Sequence, residues 1–138
     1  MRDGMDVAIC SINKKTKLLQ FAGAYNSGYL IKDGVIIEMP ADKKPVGAFI
    51  EDSITAFTVK EYQLTGNETI YLFSDGYADQ FGGPKGKKFK YKNLQNLFLN
   101  IQNESFDKQN EKVKNTFVDW KGNYEQTDDV LVIGFKLS

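Results

Sequence analysis

The stretch Thr69-Ile70-Tyr71-Leu72-Phe73-Ser74-Asp75-Gly76-Tyr77-Ala78-Asp79 marks a change of period along the chain. Residues 69–74 read as a strand rich in β-branched and aromatic side chains, and the apolar run stops at Asp75-Gly76. Upstream, short apolar runs alternate with polar residues. Residues 6–12 and 17–24 form one hairpin around Asn13-Lys14-Lys15-Thr16. Residues 28–32 and 35–39 form a second around Asp33-Gly34, a pair that accepts the positive φ of a tight primed turn. Residues 40–53 carry less order, and a strand at about 55–64 is joined to residues 69–74 by the turn residues Thr65, Gly66 and Asn67. Downstream the period becomes helical. Tyr91, Leu94, Leu97, Phe98 and Ile101 share one helical face; Phe106, Val113, Phe117 and Trp120 share another, ended by Gly122. Both stripes read as core packing. An apolar strand, residues 130–137, closes the chain. The expected fold class is α+β: mainly antiparallel β-sheets, with two amphipathic helices before the last strand, in a single domain over 1–138.

A chain of 138 residues with 41% hydrophobic and 13% aromatic side chains can bury a core of its own. Eighteen basic residues balance eighteen acidic ones, so no overall field draws it to nucleic acid or an anionic membrane. No apolar run has the length of a membrane span, and Arg2, Asp3 and Asp6 leave no signal-peptide core, which points to a cytoplasmic setting. The absence of histidine excludes a Ser-His-Asp triad, a Cys-His pair and a histidine metal cluster. The one cysteine, Cys10, is followed by Ser11-Ile12-Asn13-Lys14-Lys15-Thr16, without the arginine that a cysteine phosphatase loop needs; it reads as a strand thiol facing the core. Arg2 is the only arginine, so a phosphate elsewhere must meet lysines, backbone amides or metal.

Two acidic clusters carry the chemistry. Asp75 stands at a strand end before a glycine, where a carboxylate is held rigidly and the backbone leaves room for a ligand; the same pattern is also an ordinary turn. Asp128 and Asp129 precede the apolar strand 130–133 and repel each other unless solvent or a cation intervenes. Hard cations such as Mg2+ and Mn2+ take such oxygens. A third feature, Lys85, Lys87 and Lys88 in and after the glycine-rich loop 82–86, could attract a phosphoprotein or simply be a solvated loop. It is not a phosphate-binding Walker loop, because Gly86-Lys87 is followed by Lys88 and Phe81 stands where the first glycine belongs.

In this order, Tyr71-Leu72-Phe73-Ser74-Asp75-Gly76-Tyr77-Ala78-Asp79 and Gln126-Thr127-Asp128-Asp129-Val130-Leu131-Val132-Ile133 resemble the last two metal-binding motifs of the PPM, or protein phosphatase 2C-like, serine/threonine phosphatases. The resemblance is to the bacterial SpoIIE/RsbU branch, and supporting matches run from Asp6-Val7-Ala8-Ile9 through Gly66-Asn67-Glu68-Thr69-Ile70. It implies a partial PPM-type β-sandwich and a site with Mn2+ or Mg2+, binuclear in the complete domain. Asp75 and Asp128 would be direct ligands, Asp129 would support them, and Asp79 matches an acidic position that in some relatives helps bind a further metal. Gly76 would give clearance. No catalytic residue beyond the metal ligands is implied, since the family is thought to use metal-bound water as nucleophile.

The family's first motif, Asp-x-x-Gly-His/Asn-Gly, has no counterpart, and Asp3-Gly4 stands in the wrong place. The chain thus reads as the C-terminal part of a catalytic domain, inactive alone, whose parent dephosphorylates phosphoserine or phosphothreonine in a regulatory protein of bacterial signal transduction. Implied partners are that phosphoprotein and an upstream sensor or regulatory domain of a two-component type. The alternative is a phosphatase-derived interaction module without turnover. A fragment with unpaired strand edges is expected to form a homo-oligomer, unless the segment 91–120 folds over the open sheet.

Overall fold

Alternation in residues 28–39 and 69–73 puts apolar side chains on both faces of the same strands, so their sheet needs cover on two sides. The computed structural model describes residues 4–47 and 56–137 and supplies that cover as three layers. The elements are β1 (Gly4–Met5), β2 (Val7–Asn13), β3 (Leu18–Ala24), β4 (Gly28–Lys32), β5 (Val35–Met39), β6 (Val46–Gly47), β7 (Lys60–Gln63), β8 (Thr69–Phe73), β9 (Phe81–Gly82), β10 (Lys87–Lys88), α1 (Tyr91–Asn100), α2 (Phe106–Lys121) and β11 (Val132–Lys136). A four-stranded antiparallel sheet in the order β11-β8-β4-β5 lies in the middle. Leu30, Met39 and Ile70 pack from it against Leu19, Phe21 and Leu64 of the three-stranded sheet β2-β3-β7 and its exit. On the opposite face Tyr29, Ile31, Tyr71 and Phe73 meet Leu94, Phe98 and Ile101 of the helical layer. Tyr71 and Phe98 stack with ring centroids 4.1 Å apart. Burying each such ring contributes about 1.5–3 kcal/mol. This is the mainly antiparallel α+β architecture read from the sequence, with the helices covering one sheet face.

The second hairpin forms at the expected residues, and Asp33 and Gly34 take φ of 51° and 76°. Other boundaries shift for local reasons. The expected strand 55–64 is reduced to β7, because the edge of β3 beyond Phe21 is taken by Asp42: its N–H donates to the Gly23 carbonyl at 2.9 Å, and its carboxylate accepts from the Thr58 N–H at 2.6 Å. Part of the low-order stretch 40–53 is ordered as β6, paired with β1; residues 48–53 lie outside the described residues, as does residue 55 of the expected strand. The turn at Thr65, Gly66 and Asn67 does not pair its flanking strands, since β7 and β8 belong to different sheets. Buried Glu68 locks this corner by accepting from the Thr65 and Gly66 amides at 2.9 and 2.8 Å. Burial opposes its charge, but those amides outweigh it and hold the carboxyl below its usual range. Cys10 faces the inter-sheet core, half-buried, and burial raises its thiol.

Candidate functional site

Strand β8 ends one residue before Ser74, and the chain then has to turn without losing contact with the segment that leads into β11. Ser74 makes that contact three times. Its N–H donates to the Leu131 carbonyl at 3.0 Å, its hydroxyl donates to the Asp129 carbonyl at 2.9 Å, and it accepts from the Leu131 N–H at 2.9 Å. That side-chain bridge replaces the ladder, which is why β11 begins at Val132 rather than at the expected residue 130. Gly76 follows, buried, where the two segments come closest. A Cβ there would overlap the Asp129 carbonyl oxygen and stand 2.9 Å from its carbon, so only glycine fits.

The turn 75–79 is closed by the Asp79 N–H donating to the Asp75 carbonyl at 3.0 Å. It is anchored from beneath by Tyr77, whose hydroxyl donates to the Val113 carbonyl of α2 at 2.7 Å. Buried Gln80 donates to the carbonyls of Phe81 and Glu125, both at 2.9 Å, which ties the turn to the segment after α2. Asp128 folds its carboxylate over the Asp129 N–H at 2.8 Å. The two acidic segments, far apart in sequence, are therefore held together by glycine clearance, a serine bridge and a glutamine tie.

The result is a carboxylate pair. Asp75 is partly buried, and its carboxyl is pushed above the ordinary aspartate value. Burial is the largest cause; the charge of Asp128, a hydrogen bond shared with Asp128, and the charges of Asp79 and Asp6 follow. Among the described residues, the charged neighbours that raise it are all acids. Of the residues singled out in the sequence, Asp75, Asp128 and Asp79 are thus brought together. Asp129 enters through its backbone carbonyl, and its side chain is solvent-exposed. Lys85, Lys87 and Lys88 lie on the hairpin formed by β9 and β10, with Lys88 Nζ 3.6 Å from Asp79 and 5.8 Å from the Phe81 ring centroid. One lysine of this loop therefore pairs with an acid of the cluster. Asp6 went unrecognised as a site residue, because its only sequence signal is an acid at the head of a strand.

The donors suit a hard divalent cation: Asp75 and Asp128 set two carboxylates side by side, and a metal would relieve their repulsion. Among the described residues no group of three or more acids, cysteines or histidines is arranged to hold a metal unaided. A cation held there would need further ligands beside this pair.

This architecture is shared with solved phosphatase domains. The SiaA-PP2C domain of Pseudomonas aeruginosa superposes with a TM-score of 0.86 at 25% identity, over 96% of this chain and 52% of that one. The structure of the PP2C phosphatase domain and a regulatory-domain fragment of the cell fate determinant SpoIIE from Bacillus subtilis gives 0.72 at 15% identity, over 94% of this chain and 36% of that one. The Mn-presoaked phosphatase domain of the same Bacillus subtilis protein gives 0.63 at 12% identity, over 96% and 56%. The chain spans about half the length of the first of these domains. A search of curated proteins gives no match. The sequence profile of Stage II sporulation protein E (SpoIIE) matches residues 3–138, and the chain belongs to that family.

Proposed function

We propose that this chain is the C-terminal part of a metal-dependent protein phosphatase domain that acts on phosphoserine or phosphothreonine in a regulatory protein of bacterial signalling. The observation that carries the reading is the meeting of Asp75 with Asp128 in a SpoIIE-family fold. Asp75 and Asp128 hold the cation, Ser74 and Gly76 keep their segments in contact, and Lys88 holds Asp79 at the rim. A bound Mn2+ or Mg2+ would supply an activated water and offset charge on the phosphoryl oxygens. The remaining ligands come from outside these residues, so the isolated chain is an incomplete enzyme. The phosphoprotein and an upstream regulatory domain are its proposed partners and the cytoplasm its proposed location; no helix among the described residues is long and apolar enough to cross a membrane.

The test is Mn2+-dependent phosphate release from a phosphoserine protein by the full-length parent. Asp75→Asn or Asp128→Asn is expected to lower kcat at least about a hundredfold, since each removes charge from a metal centre. Unchanged turnover in either variant removes that residue from the site. The second reading, an interaction module without turnover, is favoured by the two-ligand pair; it predicts a parent without turnover that still binds its partner.

A further inference from the structure

Beside the acidic pair lies a cavity of about 250 Å³ whose walls include Tyr25, Tyr29, Glu38, Phe73, Tyr91 and Gln95. Its position follows from strand register. Tyr29 and Glu38 are directly opposed across β4 and β5, so both side chains stand on the helix-covered face of the middle sheet. Tyr91 and Gln95, four residues apart, present one side of α1 to that face. Gln95 donates to the Tyr29 hydroxyl at 3.2 Å, and the rings of Tyr29 and Phe73 pack at 4.7 Å. Phe73 is two residues before Asp75, which makes the cavity and the acidic pair neighbours. Tyr91 lines the cavity and feels both groups: its phenol is pushed up to about 12, by burial first and then by Asp79, Asp75, Tyr29 and Glu38. Tyr25 completes the wall from a left-handed backbone, φ 61°, pinned by its N–H donating to the Asp42 carbonyl at 2.9 Å. A non-glycine residue held there is strained, and such strain persists only where surrounding structure enforces it.

The chemistry of the lining selects an occupant. It holds one carboxylate, Glu38, and no ammonium or guanidinium group among the described residues. A phosphate or an acidic side chain would be repelled by Glu38 and by the nearby Asp75 and Asp79. A cation gains from the carboxylate and from the exposed aromatic side chains Tyr25 and Tyr91 together. The volume lies below that of typical small-molecule sites and suits one long side chain.

We propose that this cavity receives a lysine or arginine side chain of the phosphoprotein substrate, placed beside the residue that carries the phosphate. The proposal rests on the phosphatase reading for the identity of the ligand, and the cavity then selects substrates with a basic residue flanking the phosphorylated one.

The test is an amide NMR titration of the chain, in Mg2+, with four short peptides: serine or phosphoserine at the centre, each with lysine or alanine beside it. The lysine peptides are expected to bind about five- to tenfold more tightly than their alanine partners, with shifts centred on Tyr25, Tyr91 and Gln95. Glu38→Gln, an exposed isosteric change, should bring lysine and alanine peptides to within about twofold of each other. Any outcome in which lysine adds nothing in the wild-type chain, or in which its advantage survives Glu38→Gln, overturns the proposal. The phosphate comparison reports separately: a lysine preference with no effect of phosphate would leave the cationic cavity standing and count against the phosphatase reading.

Discussion

Gly76→Ala should open the site without touching a carboxylate. The added Cβ overlaps the Asp129 carbonyl oxygen, sits 2.9 Å from the carbonyl carbon and 3.2 Å from Val130 Cγ2. Ordinary contact then requires the two segments to part by about an ångström. The bonds that span this gap are the three made by Ser74, at 2.9–3.0 Å, and they cannot stretch so far. At about 1 kcal/mol net for each, the loss is about 3 kcal/mol. In a domain of this size that lowers Tm by about 10 °C. Gly34→Ala is the control, since its Cβ meets nothing within 4 Å and only its φ of 76° is unfavourable. A left-handed alanine costs about 1–2 kcal/mol, hence a smaller drop of about 5 °C. Thermal denaturation followed by circular dichroism compares the two. If Gly76→Ala melts at or above Gly34→Ala, the close approach of Gly76 to Asp129 is not what holds the acidic segments together.

The raised Asp75 carboxyl means that the folded chain retains a proton which the unfolded chain has already released, so the stability it contributes is full below the ordinary 3.8 and lost as pH rises through the raised value. In a metal-free buffer wild-type Tm should therefore fall over that window and Asp75→Asn should flatten the fall; identical pH profiles would show that the carboxylate pair is not strained. The isolated chain should hydrolyse p-nitrophenyl phosphate or a phosphopeptide barely or not at all, and Mn2+-dependent turnover abolished by Asp75→Asn would contradict its incompleteness. The segment 91–120 does fold over one face of the middle sheet, but the sheet edges stay open, and their exposed apolar residues, Leu131 and Ile133 around β11, Val35 and Ile37 on β5 and Ile9 on β2, should drive self-association. Sedimentation velocity should show a dimer or larger species as concentration rises; a single monomer throughout, with no binding of a hydrophobic dye, would show that the chain closes its own core.

What could be read from the sequence is what local chemistry determines. The hairpin of β4 and β5 follows from alternation around Asp33-Gly34, and the helices follow from their 3.6-residue stripes, with Ser105 capping α2 by accepting from the Lys108 N–H. The division into two sheets was hidden, since β7 and β8 look like neighbours across a turn and are separated only by long-range pairing of β7 with β3. Within the site, Asp75 and Asp128 were legible from type and order. Their setting was not. The Ser74 bridge, the obligatory clearance at Gly76, the pairing of Lys88 with Asp79 and the approach of Asp6 all depend on contacts between segments distant in the chain. Glu38 likewise has no sequence signal: it is a polar edge-strand residue until register sets it beside Tyr29.

The central claim, that Asp75 and Asp128 together bind a divalent cation, is most directly tested by titrating substoichiometric Mn2+ into the isotope-labelled chain and following paramagnetic broadening of its amides, a readout that registers even weak binding. Broadening should start at Asp75, Gly76, Asp128 and Asp129 and be lost at all four in Asp75→Asn and in Asp128→Asn. Broadening centred on other acids, or unchanged at these amides in either variant, would contradict the claim.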